Sequence, residues 1–141
     1  MFNKNIGRLD FKKIVLTKSA ARGDTKEYEV LKLRDGMVAT MYSGSWLYNE
    51  SVKREDCRIG HGSWGESQYK SFAENLAKLR VQTWDGFDKA NKHALDGWSF
   101  DLLIERADGG TIKAHGTNSY PKNYREFEEL LEEQVFGPKE Y

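Results

Sequence analysis

The chain has little with which to staple or stiffen itself. It holds one cysteine, Cys57, and two prolines, Pro121 and Pro138. A lone cysteine excludes an internal disulfide and suits a reducing compartment, so the expected location is cytoplasmic. Both prolines lie beyond Tyr120, so neither interrupts an earlier element. No apolar run approaches the roughly 18 residues that read as a membrane span, and no signal-peptide core is visible. Neither charge sign is in excess: 22 basic and 22 acidic residues leave a net charge of zero. That balance argues against a nucleic-acid binder with a wide basic face. The histidines, His61, His93 and His115, show no metal-ligand spacing, and no cofactor or metal is expected.

Against these shortages stands a high aromatic content of 13%, with four tryptophans and seven tyrosines. Such residues either fill the core of a small sheet or supply a contact surface. At 141 residues the chain is long enough for one domain with a real core, and residues 1–141 are read as a single unit. No repeat, low-complexity tract or interdomain linker divides it.

The most informative stretch runs from Trp98 to Pro121. Trp98, Phe100, Leu102 and Ile104 alternate with Ser99, Asp101, Leu103 and Glu105, the period of a half-buried strand. Ala107-Asp108-Gly109 reads as a three-residue turn in which Gly109 takes positive φ. That loop length sets a register: Ile104 against Ile112, Leu102 against Ala114, Phe100 against Gly116 and Trp98 against Asn118. On the opposite face it sets Asp101 against His115 and Ser99 against Thr117. Asn123 is the expected N-cap of a final helix, with Glu126 completing a capping box. In that helix Tyr124, Phe127, Leu130, Leu131 and Val135 form the apolar face, while Glu128, Glu129, Glu132 and Glu133 form a solvated one. Gly137-Pro138 ends it.

Earlier in the chain, strands are expected at Phe11–Thr17, Lys26–Arg34 and Met37–Tyr42, a three-stranded meander. Asp35-Gly36 is read as a type I′ hairpin turn. Tyr69, Phe72, Ala73, Leu76 and Leu79 recur at helical spacing and predict a helix over Glu66–Trp84. Asp88 to Leu95 reads as a surface connection. The fold class is therefore α+β, an antiparallel sheet (N-terminal meander plus C-terminal hairpin) packed with two main helices.

Ser43 to Gly65 lacks clear periodicity, apart from a short strand possible near Cys57–Ile59. Long segments of this kind are often functional loops. Gly60-His61-Gly62-Ser63-Trp64-Gly65 is a literal G-x-G-x-x-G, but the residues before it are charged and no βαβ unit surrounds it, so a mobile loop is the better reading than a phosphate cradle. Cys57 and His61 lack the third group that a thiolate nucleophile needs, and Cys57 is read as packed or incidental. Trp46, Tyr48, His61 and Trp64 are the candidate binding residues, set against the alternative that the tryptophans plug the core.

The pattern Trp84-Asp85-Gly86, Asp96-Gly97-Trp98, Asp108-Gly109-Gly110-Thr111-Ile112, Gly116-Thr117-Asn118-Ser119-Tyr120-Pro121 and Phe127 resembles small uncharacterised bacterial α+β domains. It covers about the last third of the chain. These are turn and core residues, so the resemblance implies a shared fold and brings no activity and no catalytic residues with it.

The expected function is a non-enzymatic binding module of bacterial or phage origin. Its partner is a protein or a small ligand, bound through the aromatic loop, as an inhibitor or sequestering accessory protein would do. Two alternatives stand beside it: a small enzyme using His115 with Asp101, or His61, as acid and base, and a structural subunit that forms a homo-oligomer through a sheet edge.

Overall fold

The computed structural model describes residues 7–20, 23–91 and 97–137. Seven strands form one sheet: β1 (Phe11–Ser19), β2 (Thr25–Leu33), β3 (Gly36–Gly44), β4 (Arg58–Gly65), β5 (Asp88–Ala90), β6 (Ser99–Arg106) and β7 (Thr111–Thr117). The order across the sheet is β4-β3-β2-β1-β6-β7-β5. Every pairing is antiparallel except β5 with β7. Two helices, α1 (Glu66–Lys78) and α2 (Tyr124–Phe136), complete the α+β fold.

Strand alternation explains the layering. Ile14, Leu16, Tyr28, Val30, Met37, Ala39, Phe100, Leu102, Ile104, Ile112 and Ala114 all point to one face and are buried. There they meet Tyr69, Phe72, Ala73 and Leu76 of α1 and Tyr124, Phe127, Leu131 and Val135 of α2. Phe11 packs edge-on to Phe72, with ring centroids 5.6 Å apart, and Trp84 packs edge-on to Phe127 at 5.2 Å. Both helices cover this one face. Among the described residues no helix is long and apolar enough to cross a membrane.

The C-terminal hairpin has the expected register. Ile104 lies opposite Ile112, Leu102 opposite Ala114, Phe100 opposite Gly116 and Asp101 opposite His115. The Arg106 amide donates to the Gly110 carbonyl at 2.8 Å, closing a three-residue loop in which Gly109 has φ of 92°.

Several local expectations are corrected. The Gly60–Gly65 run is not a loop but most of β4, paired along β3. Its glycines are there for α2: a Cβ on Gly62 would sit 2.0 Å from the Gln134 carbonyl oxygen, and one on Gly60 would sit 2.5 Å from the Phe136 ring. The first hairpin turns on Arg34 and Asp35, since Leu33 already pairs with Gly36. Neither turn residue has positive φ, so the turn is not type I′. Helix α1 stops at Lys78, well short of Trp84, because Arg80 enters the left-handed region at φ 62°. Val81–Trp84 continue as a 3-10 turn. The connection expected from Asp88 contains edge strand β5, and its residues 92–95, including His93, lie outside the described residues.

Asn123 is not a side-chain cap. It has φ 72°, and its Nδ2 donates to the Leu79 carbonyl at 3.1 Å, tying the start of α2 to the end of α1. Nor are all the glutamates of α2 solvated. Glu128 pairs with Lys18 at 2.8 Å, and Glu132 accepts a 3.0 Å bond from the Tyr28 hydroxyl, so both fasten the helix to the sheet.

Candidate functional site

With both helices on one side, the other side of the sheet is left open. The registers align its outward residues into rows that cross the sheet. One row runs Arg58, Tyr42, Glu27, Thr17, Asp101, His115 and Asp88, from β4 to β5. It is polar along its whole length, and every member except Thr17 is titratable. The adjacent row runs His61, Thr40, Glu29, Val15, Leu103 and Lys113, and is apolar at its centre.

The two halves of this face differ. Over β2 and β3 the segment that follows β3 folds back, and Arg54 from its 3-10 turn pairs with Glu27 and Glu29. Its guanidinium stacks 3.8 Å from the centre of the Tyr42 ring. Burial works against the charge on Arg54, but Glu27, then Tyr42 and Glu29, outweigh it and raise its pKa. Among the described residues nothing comparable lies over β1, β6, β7 and β5. A depression of about 570 Å³ is present there, lined by Val15, Leu103 and Phe87 together with Thr17, Asp88, Asp101, Lys113 and His115.

Within the depression Asp101 Oδ1 lies 2.7 Å from His115 Nδ1. Asp88 flanks His115 from the other side as its partner in the parallel β5–β7 ladder. Side chains of His115 and Asp101 are 44% and 70% exposed, so water screens the pair. The carboxylate holds the imidazole by Nδ1 rather than Nε2. The nearest hydroxyl in the row, Thr17 Oγ1, is already donated to Glu27 at 3.1 Å. Among the described residues no group of three or more His, Cys, Asp or Glu side chains is arranged to hold a metal ion.

Among the described residues four groups have displaced pKa values, and all lie outside the depression. Arg54 is one. Burial pushes the Tyr69 hydroxyl up to about 12, with Asp10 adding to the shift. Burial raises Tyr28, helped by Glu132, and raises Tyr124, helped by Glu128.

The residues expected to form an aromatic binding loop are not gathered on one surface. Trp64 and His61 are three apart on β4 and so point to opposite faces. Trp64 lies on the helix side, packed against the core, and its indole N–H donates to the Gln134 carbonyl at 2.6 Å. His61 is exposed on the open face beside Thr40. Trp46 is half-buried and meets Tyr42 edge-on at 6.4 Å. Tyr48 is 63% exposed. Cys57 is packed beside Gly44, and its thiol donates to the Lys53 carbonyl at 3.4 Å. Sequence reasoning paired Asp101 with His115 but missed the depression around them. The missing signal is Val15 and Thr17 beside them, which only the pairing of β1 with β6 supplies.

No family model matches this chain, and neither a curated protein nor a solved structure is significantly similar to it.

Proposed function

We propose that the protein is a non-enzymatic binding module, and that its contact surface is the β1–β6–β7–β5 half of the open sheet face. The observation that carries this reading is the depression itself. Apolar side chains, among them Val15, Leu103 and Phe87, line a concavity together with polar groups, on a face that no helix covers among the described residues. Apolar linings with a few convergent polar groups are the usual form of ligand sites, because burial supplies affinity and the polar groups supply orientation. The partner is a protein or a small ligand, as for a bacterial or phage accessory protein that sequesters or inhibits its target. Tyr48 and His61 remain accessible for a partner that spreads beyond the depression. The single cysteine favours a cytoplasmic setting.

A fragment screen read by amide chemical shifts tests the proposal. Binders are expected to move residues 15, 17, 101, 103, 113 and 115, and Leu103→Arg is expected to remove those shifts while the fold persists. Hits that gather instead around Trp46 and Tyr48 would return the site to the aromatic loop. A screen with no response in the depression would overturn the reading.

One observation favours an enzyme as the second reading. His115 sits in a concavity with a carboxylate on its Nδ1, as a general base requires. His61 lies outside that concavity. A hydrolytic or proton-transfer activity that disappears in both His115→Gln and Asp101→Asn would establish this reading in place of the first.

A further inference from the structure

We propose that residues 45–57 form a strap, latched by Arg54 over the β2–β3 half of the open sheet face, which releases as a unit while the sheet stays folded. The main-chain bonds seen in this segment are local: Tyr48 and Asn49 amides donate to the Ser45 carbonyl, Val52 to Asn49, and Asp56 to Lys53. The Asn49 side chain likewise accepts from Ser51. A segment bonded to itself can lift away without breaking the sheet ladder.

Side chains do the fastening. Arg54 reaches Glu27 and Glu29 on β2 and stacks on Tyr42 of β3, so one residue holds two strands. The guanidinium is well suited to this, because its planar fork pairs with carboxylates while its face lies on a ring. Glu27 and Glu29 are only 13% and 19% exposed, so the strap keeps most water from these contacts and salt screens them only in part. At the root of the strap, Cys57 Sγ and the Trp46 ring close over Gly44, where an added Cβ would lie 2.5 Å and 3.5 Å from them.

Beneath this closure sits Thr25, the ladder partner of Gly44. Thr25 is fully buried, and among the described residues its Oγ1 has no hydrogen-bond partner. A buried hydroxyl without a partner gains by reaching water, so the covered state contains a group that favours release. Arg54 opposes that tendency. Released, the strap would bare Glu27, Glu29 and Tyr42 and extend the open face from the depression across to β4. This inference concerns the free protein and stands whether or not the depression binds a ligand.

Hydrogen exchange on the full chain tests it. Loss of a charge-assisted latch in Arg54→Ala is expected to speed exchange in peptides covering 45–57 by roughly tenfold or more, with β1, β6 and β7 at the wild-type rate. Glu27→Gln with Glu29→Gln is expected to do the same from the other side. Arg54→Lys keeps the charge but loses the fork and the stack, and should fall between. Wild-type protein in raised salt should show a smaller change confined to the same peptides. Should Arg54→Ala fail to fold, the lysine variant and the salt series read the same difference. Exchange in 45–57 that is unchanged, or that rises together with β1, β6 and β7, would overturn the strap.

Discussion

Asp101 and His115 face each other across β6 and β7 with 2.7 Å between Oδ1 and Nδ1, in the one antiparallel pair of the depression that joins a carboxylate to an imidazole. The pair is exposed, so its energetic weight is small, while its geometric effect is large. It fixes the ring and selects the tautomer that carries the proton on Nδ1 when the imidazole is neutral.

Asp101→Asn is therefore expected to change unfolding free energy by less than about 1 kcal/mol, the usual range for an exposed cross-strand pair. In the neutral ring the nitrogen-15 shifts of His115 should move toward the Nε2-protonated form. A loss of several kcal/mol in a denaturant titration would show that the pair holds the sheet together.

The glycines of β4 give a second test. Gly62→Ala places a Cβ 2.0 Å from the Gln134 backbone oxygen, which cannot move without shifting α2. Overpacking of this kind is expected to cost about 1–3 kcal/mol or more. Gly60→Ala meets the Phe136 ring and a Val135 methyl, and Phe136 is exposed enough to swing aside, so its cost should be smaller. Equal melting temperatures for the two variants would contradict this account of how α2 packs.

Trp64 and Tyr48 should separate cleanly. Trp64→Ala removes core contacts and the bond to Gln134, and a loss of about 2–4 kcal/mol is expected from truncating a packed aromatic. Tyr48→Ala, at a largely exposed position, should stay within about 0.5 kcal/mol. Chemical denaturation of both variants checks the contrast, and a stable Trp64→Ala protein would count against a core role for that indole.

Alkaline pH should destabilise the protein in a defined window. Tyr69 titrates near 10 when unfolded and at about 12 when folded, so the folded state binds the extra proton between those values. The stability it contributes is complete below about pH 10 and is lost as pH rises toward about 12. Tyr28 and Tyr124 are raised as well and act in the same direction. A phenolate titration at 295 nm should show these three tyrosines lagging the exposed ones. Stability that stays flat from pH 10 to 12 would be inconsistent with the burial of Tyr69.

Local rules in the sequence were enough for the C-terminal hairpin. Alternation from Trp98 to Glu105, a three-residue turn and one glycine at positive φ determine which residues oppose each other, and so determined that Asp101 meets His115. Helical spacing in the same way located the buried faces of α1 and α2. What the sequence could not decide depended on contacts between distant segments. The glycines of β4 resemble a loop until α2 is laid across them from more than 70 positions later in the chain. The end of α1 has no glycine to mark it, and Asn123 looks like a cap until its side chain finds the Leu79 carbonyl. Arg54 carries no local signal at all, because its partners Glu27, Glu29 and Tyr42 become neighbours only when β2 and β3 pair. The placement of both helices on one face, which leaves the other face open around Val15 and Leu103, is a property of the assembled sheet. Periodicity shows that a strand has two faces, and tertiary packing decides which of them stays uncovered.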